Sequence, residues 1–340
     1  MARRLCEELV DRFVAAGATR IEAATLQPAA TLLDLYGEDI RARAYTTWDA
    51  VEGEQMLRPD FTVPVVQAHM ESGAAPARYA YAGPVFRKQD AHPGRAREYL
   101  QIGYELFGGA DAVEAELEVF RILTSALEGH ETRAVVGDIG LLLAAVDGLE
   151  TSDNRKAALR RHIWRPVRFR ALLDRFSAPQ FVPPAASQAP EIGLRTQAAV
   201  ERRLAALEAD AKEPPLSMDQ IAALTALFDV QGAPKDALNA LRALERALPA
   251  IAPINDRIEQ RLAPVAELSG TVSFQASYGR TTMEYYDGFV FGIFASDFDG
   301  PPLASGGRYD ALTRALGPGE ETPAVGGVLR PEMILEIARA

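Results

Sequence analysis

A single cysteine, Cys6, among 340 residues excludes an intrachain disulfide and any cysteine zinc cluster. Histidine is almost as scarce: His69, His92, His130 and His162 stand far apart. Helical histidine–metal motifs place their ligands about four residues apart, so no metal site is expected. No apolar run reaches the roughly 18 residues that a membrane span needs. The first apolar stretch is broken by Glu7, Glu8 and Asp11, unlike a secretory signal. The chain is therefore expected to be cytoplasmic, with no membrane partner. Basic residues are outnumbered, 36 Lys and Arg against 47 Asp and Glu, for a net charge of −11. Such a surface repels phosphate backbones, which argues against a nucleic-acid partner. The loops GxxxxGK[ST], GxSxG and post-strand GxGxxG are missing too.

What is present describes an ordinary globular chain, 48% hydrophobic and 24% charged, long enough to bury a large core. Leu5, Leu9 and Phe13 recur every fourth residue up to Gly17, which predicts an amphipathic helix with Cys6 packed in the core. Residues 55–67 hold two prolines around a short apolar run and suit a strand edge or loop. Residues 79–86 and 97–108 are strand-like, joined by the polar loop 87–96, and predict a long-looped hairpin. Asp111 with Glu114 predicts a capped helix to about Leu127. From about 150 the character changes. A Pro-, Ala- and Ser-rich stretch at 177–190 precedes helical patterns near 195–210, 217–229 and 234–247. Ser217 with Gln220 resembles a capping box, and Pro234 suits a first helical turn. Strand alternation returns at 271–278 and 288–294, and an apolar helix follows Pro331. These elements imply one α+β core, 1–150 and 266–340, interrupted by a mostly helical insertion over 151–265.

The stretch 97–107 is the most informative. Alternation places Leu100, Ile102, Tyr104 and Leu106 on one side, and Arg97, Tyr99, Gln101, Gly103, Glu105 and Phe107 on the other. With Gly103 leaving space between Gln101 and Glu105, the second face suits the floor of a pocket for a small polar ligand. A half-solvated sheet with a polar outer face fits the same pattern. Arg87, Arg95 and Arg97 flank the hairpin loop, either as guanidinium forks for an anion or nucleotide or as a solvated basic loop. The glycines of SGGRYD (305–310) suit a phosphate cradle or a turn.

Three ordered segments carry a resemblance: LRPDFTVPVV (57–66), GPVFRKQDAHPGRAREYLQIGYELFG (83–108) and GGRYDALTRALGPGEETPAVGG (306–327). Together they resemble the catalytic core of histidyl-tRNA synthetase. The resemblance implies a class II aminoacyl-tRNA synthetase-like antiparallel sheet flanked by helices, dimeric through the segment around Pro28. It places Asp60 and Thr62 where that family holds the amino acid's ammonium group, and Gln101 and Glu105 where it contacts histidine. Tyr285 and Tyr286 match the paired tyrosines of its RGLDYY motif.

The departures bear on activity. Met333 stands where the family has an ATP-holding arginine, with Arg330 three residues away. Thr281 stands where RGLDYY has its arginine, with Arg280 one residue out of register. Removing one preorganised donor typically costs about 10²–10³ in rate, so little adenylation is expected. Only residues 328–340 follow the third segment, so no anticodon-binding domain is expected. A retained amino-acid site without that chemistry resembles, within the same superfamily, the ATP phosphoribosyltransferase regulatory subunits. That resemblance implies a non-catalytic, cofactor-free homodimer within a hetero-octamer. Its partner would be the short catalytic subunit, which it activates and through which L-histidine exerts feedback inhibition.

Overall fold

The computed structural model describes residues 1–89, 96–182, 196–280, 285–297 and 300–338. Its central hairpin is formed by strands Ala77–Phe86 and Glu98–Phe107, paired antiparallel from Ala77 opposite Phe107 to Phe86 opposite Glu98. Six strands lie side by side, each neighbouring pair antiparallel: Ala77–Phe86, Glu98–Phe107, Ala324–Leu329, Ala304–Arg308, Phe289–Ala295 and Thr132–Asp138. The outer neighbours, Thr19–Arg20 and Thr271–Gln275, pair in parallel, so the sheet is mixed at its edges. Parallel neighbours need long crossovers, and helices occupy the chain between Asp138 and Thr271.

Both faces of this sheet are covered. On one, helices Ala2–Ala15 and Ala112–Ser125 bury Phe13, Phe120 and Leu123 against Ile102, Tyr104 and Leu106. Asp111 caps the second helix, accepting from the backbone N–H of Val113 and Glu114 at 2.8 and 3.0 Å. Cys6 is buried among these apolar side chains, and burial pushes its thiol up to about 11. The opposite face packs on Phe61, Val66, Tyr81, Phe107 and Tyr309. Gln101 and Glu105 are each only 1% exposed, which removes the half-solvated alternative for their face.

Three local expectations are corrected. Residues 62–67 belong to helix Thr62–Ser72. Pro64 is tolerated there because first-turn N–H groups lack intrahelical partners anyway. SGGR (305–308) is strand rather than turn or cradle, with Gly306 opposite Gly327 and Gly307 opposite Gly326. A Cβ on Gly306 would lie 2.3 Å from the Gly326 carbonyl oxygen, so the glycines serve close packing of adjacent strands. Ser217 begins helix Met218–Asp229 but its hydroxyl accepts nothing from it. The turn is carried by the Ile221 N–H on the Ser217 carbonyl instead.

The chain between 153 and 269 forms helices Asp153–Arg161, Pro166–Ser177, Gln197–Ala211, Met218–Asp229, Pro234–Leu244 and Ala252–Ser269. Arg261 of the last helix reaches across to the sheet, donating to Glu116 at 2.6 Å and to Asp138. Arg308 donates to the other Glu116 oxygen at 2.5 Å. All four groups are buried, and each charge has a charged partner, as burial demands. A separate three-stranded sheet (Leu26–Pro28, Thr46–Asp49, Gly53–Leu57) carries exposed Leu26 and Trp48, with exposed Val51 in its turn. No described helix is long and apolar enough to cross a membrane.

Candidate functional site

The site is built on the Glu98–Phe107 strand at Glu105. Its Oε1 accepts from Tyr81 Oη at 2.8 Å and Thr62 Oγ1 at 3.3 Å, and its Oε2 accepts from Tyr309 Oη at 2.5 Å. Each donor arrives on a different element: the neighbouring strand, the first turn of helix Thr62–Ser72, and the residue following strand Ala304–Arg308. Gly326 faces Glu105 across the sheet, and a Cβ there would lie 1.4 Å from Oε2. The carboxylate occupies space that only glycine leaves open.

Burial, opposed by the three hydroxyl donors and aided by repulsion from Asp60, pushes Glu105 up to about 7. Asp60 is also raised, mainly by burial, while Arg87 and the backbone N–H groups of Val63 and Thr62 pull the other way. Burial, reinforced by the Glu105 carboxylate, pushes Tyr81 and Tyr309 well above the usual phenol range, so both phenols remain donors.

Two buried acceptors here are unanswered. Asp60 Oδ1 and Gln101 Oε1 have no hydrogen-bond partner among the described residues. An unpaired buried polar atom costs about 1–3 kcal/mol, and for a charged group more. Their chemistry fits a ligand that donates, such as an ammonium or a ring N–H. No group of three or more His, Cys, Asp or Glu among the described residues is arranged to hold a metal.

The structure joins four of the six expected amino-acid-binding residues, Thr62, Glu105, Tyr285 and Tyr286, through hydrogen bonds or ring contacts, with charge as the link to Asp60. Thr62 bonds Glu105, Tyr285 Oη donates to Thr62 Oγ1 at 3.4 Å, and the Tyr285 and Tyr286 rings meet edge-on at 4.8 Å. Asp60 influences Glu105 through charge, and Gln101 shares its strand face, buried. One detail is corrected: the space above Gly103 is filled. Tyr81, directly opposite in register, lies over it, so that a Cβ on Gly103 would fall 2.0 Å from the phenol ring. Phe61 stacks on that ring, the centroids 4.4 Å apart.

Of the three arginines, Arg87 and Arg97 are neighbours across the hairpin, the Arg87 backbone N–H donating to the Arg97 carbonyl at 2.9 Å. Arg87 donates to the Pro59 carbonyl at 2.7 Å and lies 3.9 Å from Asp60. Arg97 is exposed, and Arg95 falls outside the described residues. Thr281 also falls outside them. Arg280 is buried, donating to the Ile163 carbonyl and stacking on Phe228 and Phe169 at 4.2 and 5.0 Å. Met333 packs against the apolar core, whereas Arg330 holds the Pro302 carbonyl at 2.7 Å and lies within electrostatic reach of Arg87 and Tyr286.

Sequence reasoning missed Tyr81 and Tyr309 as partners of Glu105. The first had a signal, because hairpin register sets Tyr81 against Gly103, where a ring can lie across a missing side chain. The second had none, since Tyr309 reaches Glu105 only through the order of non-consecutive strands.

Comparison with known proteins identifies the family and the fold. Residues 1–334 match the family described as Histidyl-tRNA synthetase. A protein of Allorhizobium ampelinum named ATP phosphoribosyltransferase regulatory subunit is 31% identical, over 98% of this chain and 96% of its own. Its namesake in Rhizobium rhizogenes is 27% identical over 98% and 97%. A solved structure titled ATP phosphoribosyltransferase regulatory subunit/histidyl-tRNA synthetase, from Bacillus halodurans, superposes with a TM-score of 0.71. It shares 22% identity and covers 98% of this chain and 78% of its own, which speaks to the fold. The chain belongs to the histidyl-tRNA synthetase family, among the ATP phosphoribosyltransferase regulatory subunits built on that core.

Proposed function

We propose that the chain is a histidine-sensing regulatory subunit with no catalysis of its own. It pairs with the short catalytic subunit of ATP phosphoribosyltransferase, raises its turnover and conveys feedback inhibition by L-histidine. The observation that carries the sensor is the pair of buried, unanswered acceptors, Asp60 Oδ1 and Gln101 Oε1, beside a Glu105 held by three hydroxyls. The ammonium group of the ligand goes to Asp60 and Thr62, and its imidazole to Gln101 and Glu105, with Tyr285 and Tyr286 as walls. A carboxylate facing a ring N–H makes a charge-assisted bond and disfavours apolar isosteres. The absence of catalysis is supported by Met333, packed in apolar surroundings, and by Arg280, engaged with Ile163 and two phenyl rings. Arg87 and Arg97 remain candidates for an anion or nucleotide, Arg87 through its position beside Asp60.

For regulation, histidine must favour one state of the assembly over another, and a coupling of about 1–3 kcal/mol suffices. The assembly is a hetero-octamer containing homodimers of this chain. Exposed Leu26, Trp48 and Val51, on the small sheet that contains Pro28, support that interface.

Calorimetric titration with L-histidine, using L-glutamine and L-phenylalanine as controls, tests the sensor, and selective binding is expected. Asp60→Asn should weaken that binding by roughly 1.5–3 kcal/mol. Adding the chain to the short catalytic subunit should raise turnover, and no stimulation at saturation refutes the regulatory role. Histidine-dependent ATP–pyrophosphate exchange above background would instead establish a divergent synthetase.

A further inference from the structure

Arg280 is a buried cation left over by the site above. It is 7% exposed and no carboxylate pairs with it among the described residues; its Nη2 has no hydrogen-bond partner there either. Burial pushes the guanidinium down to about 10, and no acidic group offsets that effect. It lines a half-open cavity of about 460 Å³, within the range that holds small organic ligands. Phe169, Leu173 and Phe228 are apolar parts of the wall, supplied by helices Pro166–Ser177 and Met218–Asp229. The other charged lining residues, Arg170, Asp174 and Asp229, are exposed, where solvent screens them.

A purely structural guanidinium would be expected to have its donors answered, since unpaired buried charge is strongly unfavourable. Here one donor answers a carbonyl, Nη2 is buried without a partner among the described residues, and the residue stands in the wall of a cavity made partly apolar by Phe169, Leu173 and Phe228. We propose that this cavity binds a small organic carboxylate, its anionic end on Arg280 and its apolar body against Phe169, Leu173 and Phe228. This site is separate from Glu105 and does not depend on histidine binding.

The probe is 3-phenylpropionate, titrated calorimetrically into the full chain, with 3-phenylpropylamine and inorganic phosphate as controls. One-to-one binding of the carboxylate alone is expected. Arg280→Met should weaken it at least about ten-fold, or 1.4 kcal/mol. Its melting temperature without probe should equal or exceed that of the unsubstituted chain, because an unpaired buried charge has been removed. Thr225→Trp, which fills the cavity from a lining position and keeps the arginine, should weaken the probe by a similar factor. It decides the matter if Arg280→Met fails to fold. No binding at about 10 mM, a Kd beyond that of ordinary weak ligands, overturns the proposal. So does equal affinity for the amine or for phosphate, or unchanged affinity in the folded variants.

Discussion

Replacing Glu105 by glutamine keeps the size of the side chain and removes only its charge. The carboxyl is held at about 7 in the folded chain against an ordinary value of 4.5. Below pH 4.5 it is neutral in both folded and unfolded chains, and its contribution to stability is fully present. As pH rises from 4.5 toward 7, the unfolded chain releases the proton while the folded chain keeps it. Stability then falls by up to about 1.4 kcal/mol per pH unit. Across the whole window the loss sums to about 3 kcal/mol. Glu105→Gln has no proton to release, so its stability relative to the unsubstituted chain should climb by about that amount over the same window. Asp60, the other raised carboxyl of the site, titrates in both proteins and largely cancels in the comparison. Urea denaturation of both chains at several pH values, without histidine, gives the difference directly. A difference that stays constant with pH would refute the assignment of a neutralised, desolvated carboxyl. With histidine present the order should reverse, because the glutamine loses the charged bond to the ring and binds roughly 1.5–3 kcal/mol more weakly.

Gly326→Ala puts a methyl into the Glu105 carboxylate, so histidine binding should be lost in calorimetry while the far-UV circular dichroism of the sheet persists. Retained affinity would show that Glu105 does not shape the site. Glu116→Gln leaves Arg261 and Arg308 short of a buried counter-charge. It should cost about 3–5 kcal/mol by urea denaturation, and a loss under 1 kcal/mol would show that the network is solvated. Asp111→Ala removes the cap of helix Ala112–Ser125 and should cost about 1 kcal/mol in the same assay, against no loss if water replaces the cap.

Local chemistry made much of the fold legible. The every-fourth-residue pattern at Leu5, Leu9 and Phe13, the Asp111 cap and the hairpin alternation each reflect forces acting within a few residues, and each forms as expected. The polar strand face was equally visible, but not its fate. Gln101 and Glu105 are both buried, Glu105 beneath Tyr81 and Tyr309, which reach it from distant parts of the chain. Residues 62–67 were misjudged because two prolines weigh against a helix in a window, whereas position within the first turn decides their cost. The SGGR glycines fail as a turn signal for a similar reason: their use lies in the strand opposite, which also carries two glycines. Arg280 could not be placed at all from sequence, since one residue of register separates a pocket residue from one stacked under two phenyl rings.

The buried bridge from Arg261 through Glu116 to Arg308 has a mechanical consequence. It fastens helix Ala252–Ser269 to the strand whose next residue, Tyr309, holds Glu105. Sliding the helix against the sheet would rupture ion pairs between buried groups, at several kcal/mol each. Helix and sheet therefore behave as one stiff body, and a push on that helix is delivered to the Tyr309 end rather than absorbed between them. The compliance any signal needs must lie outside this bridge.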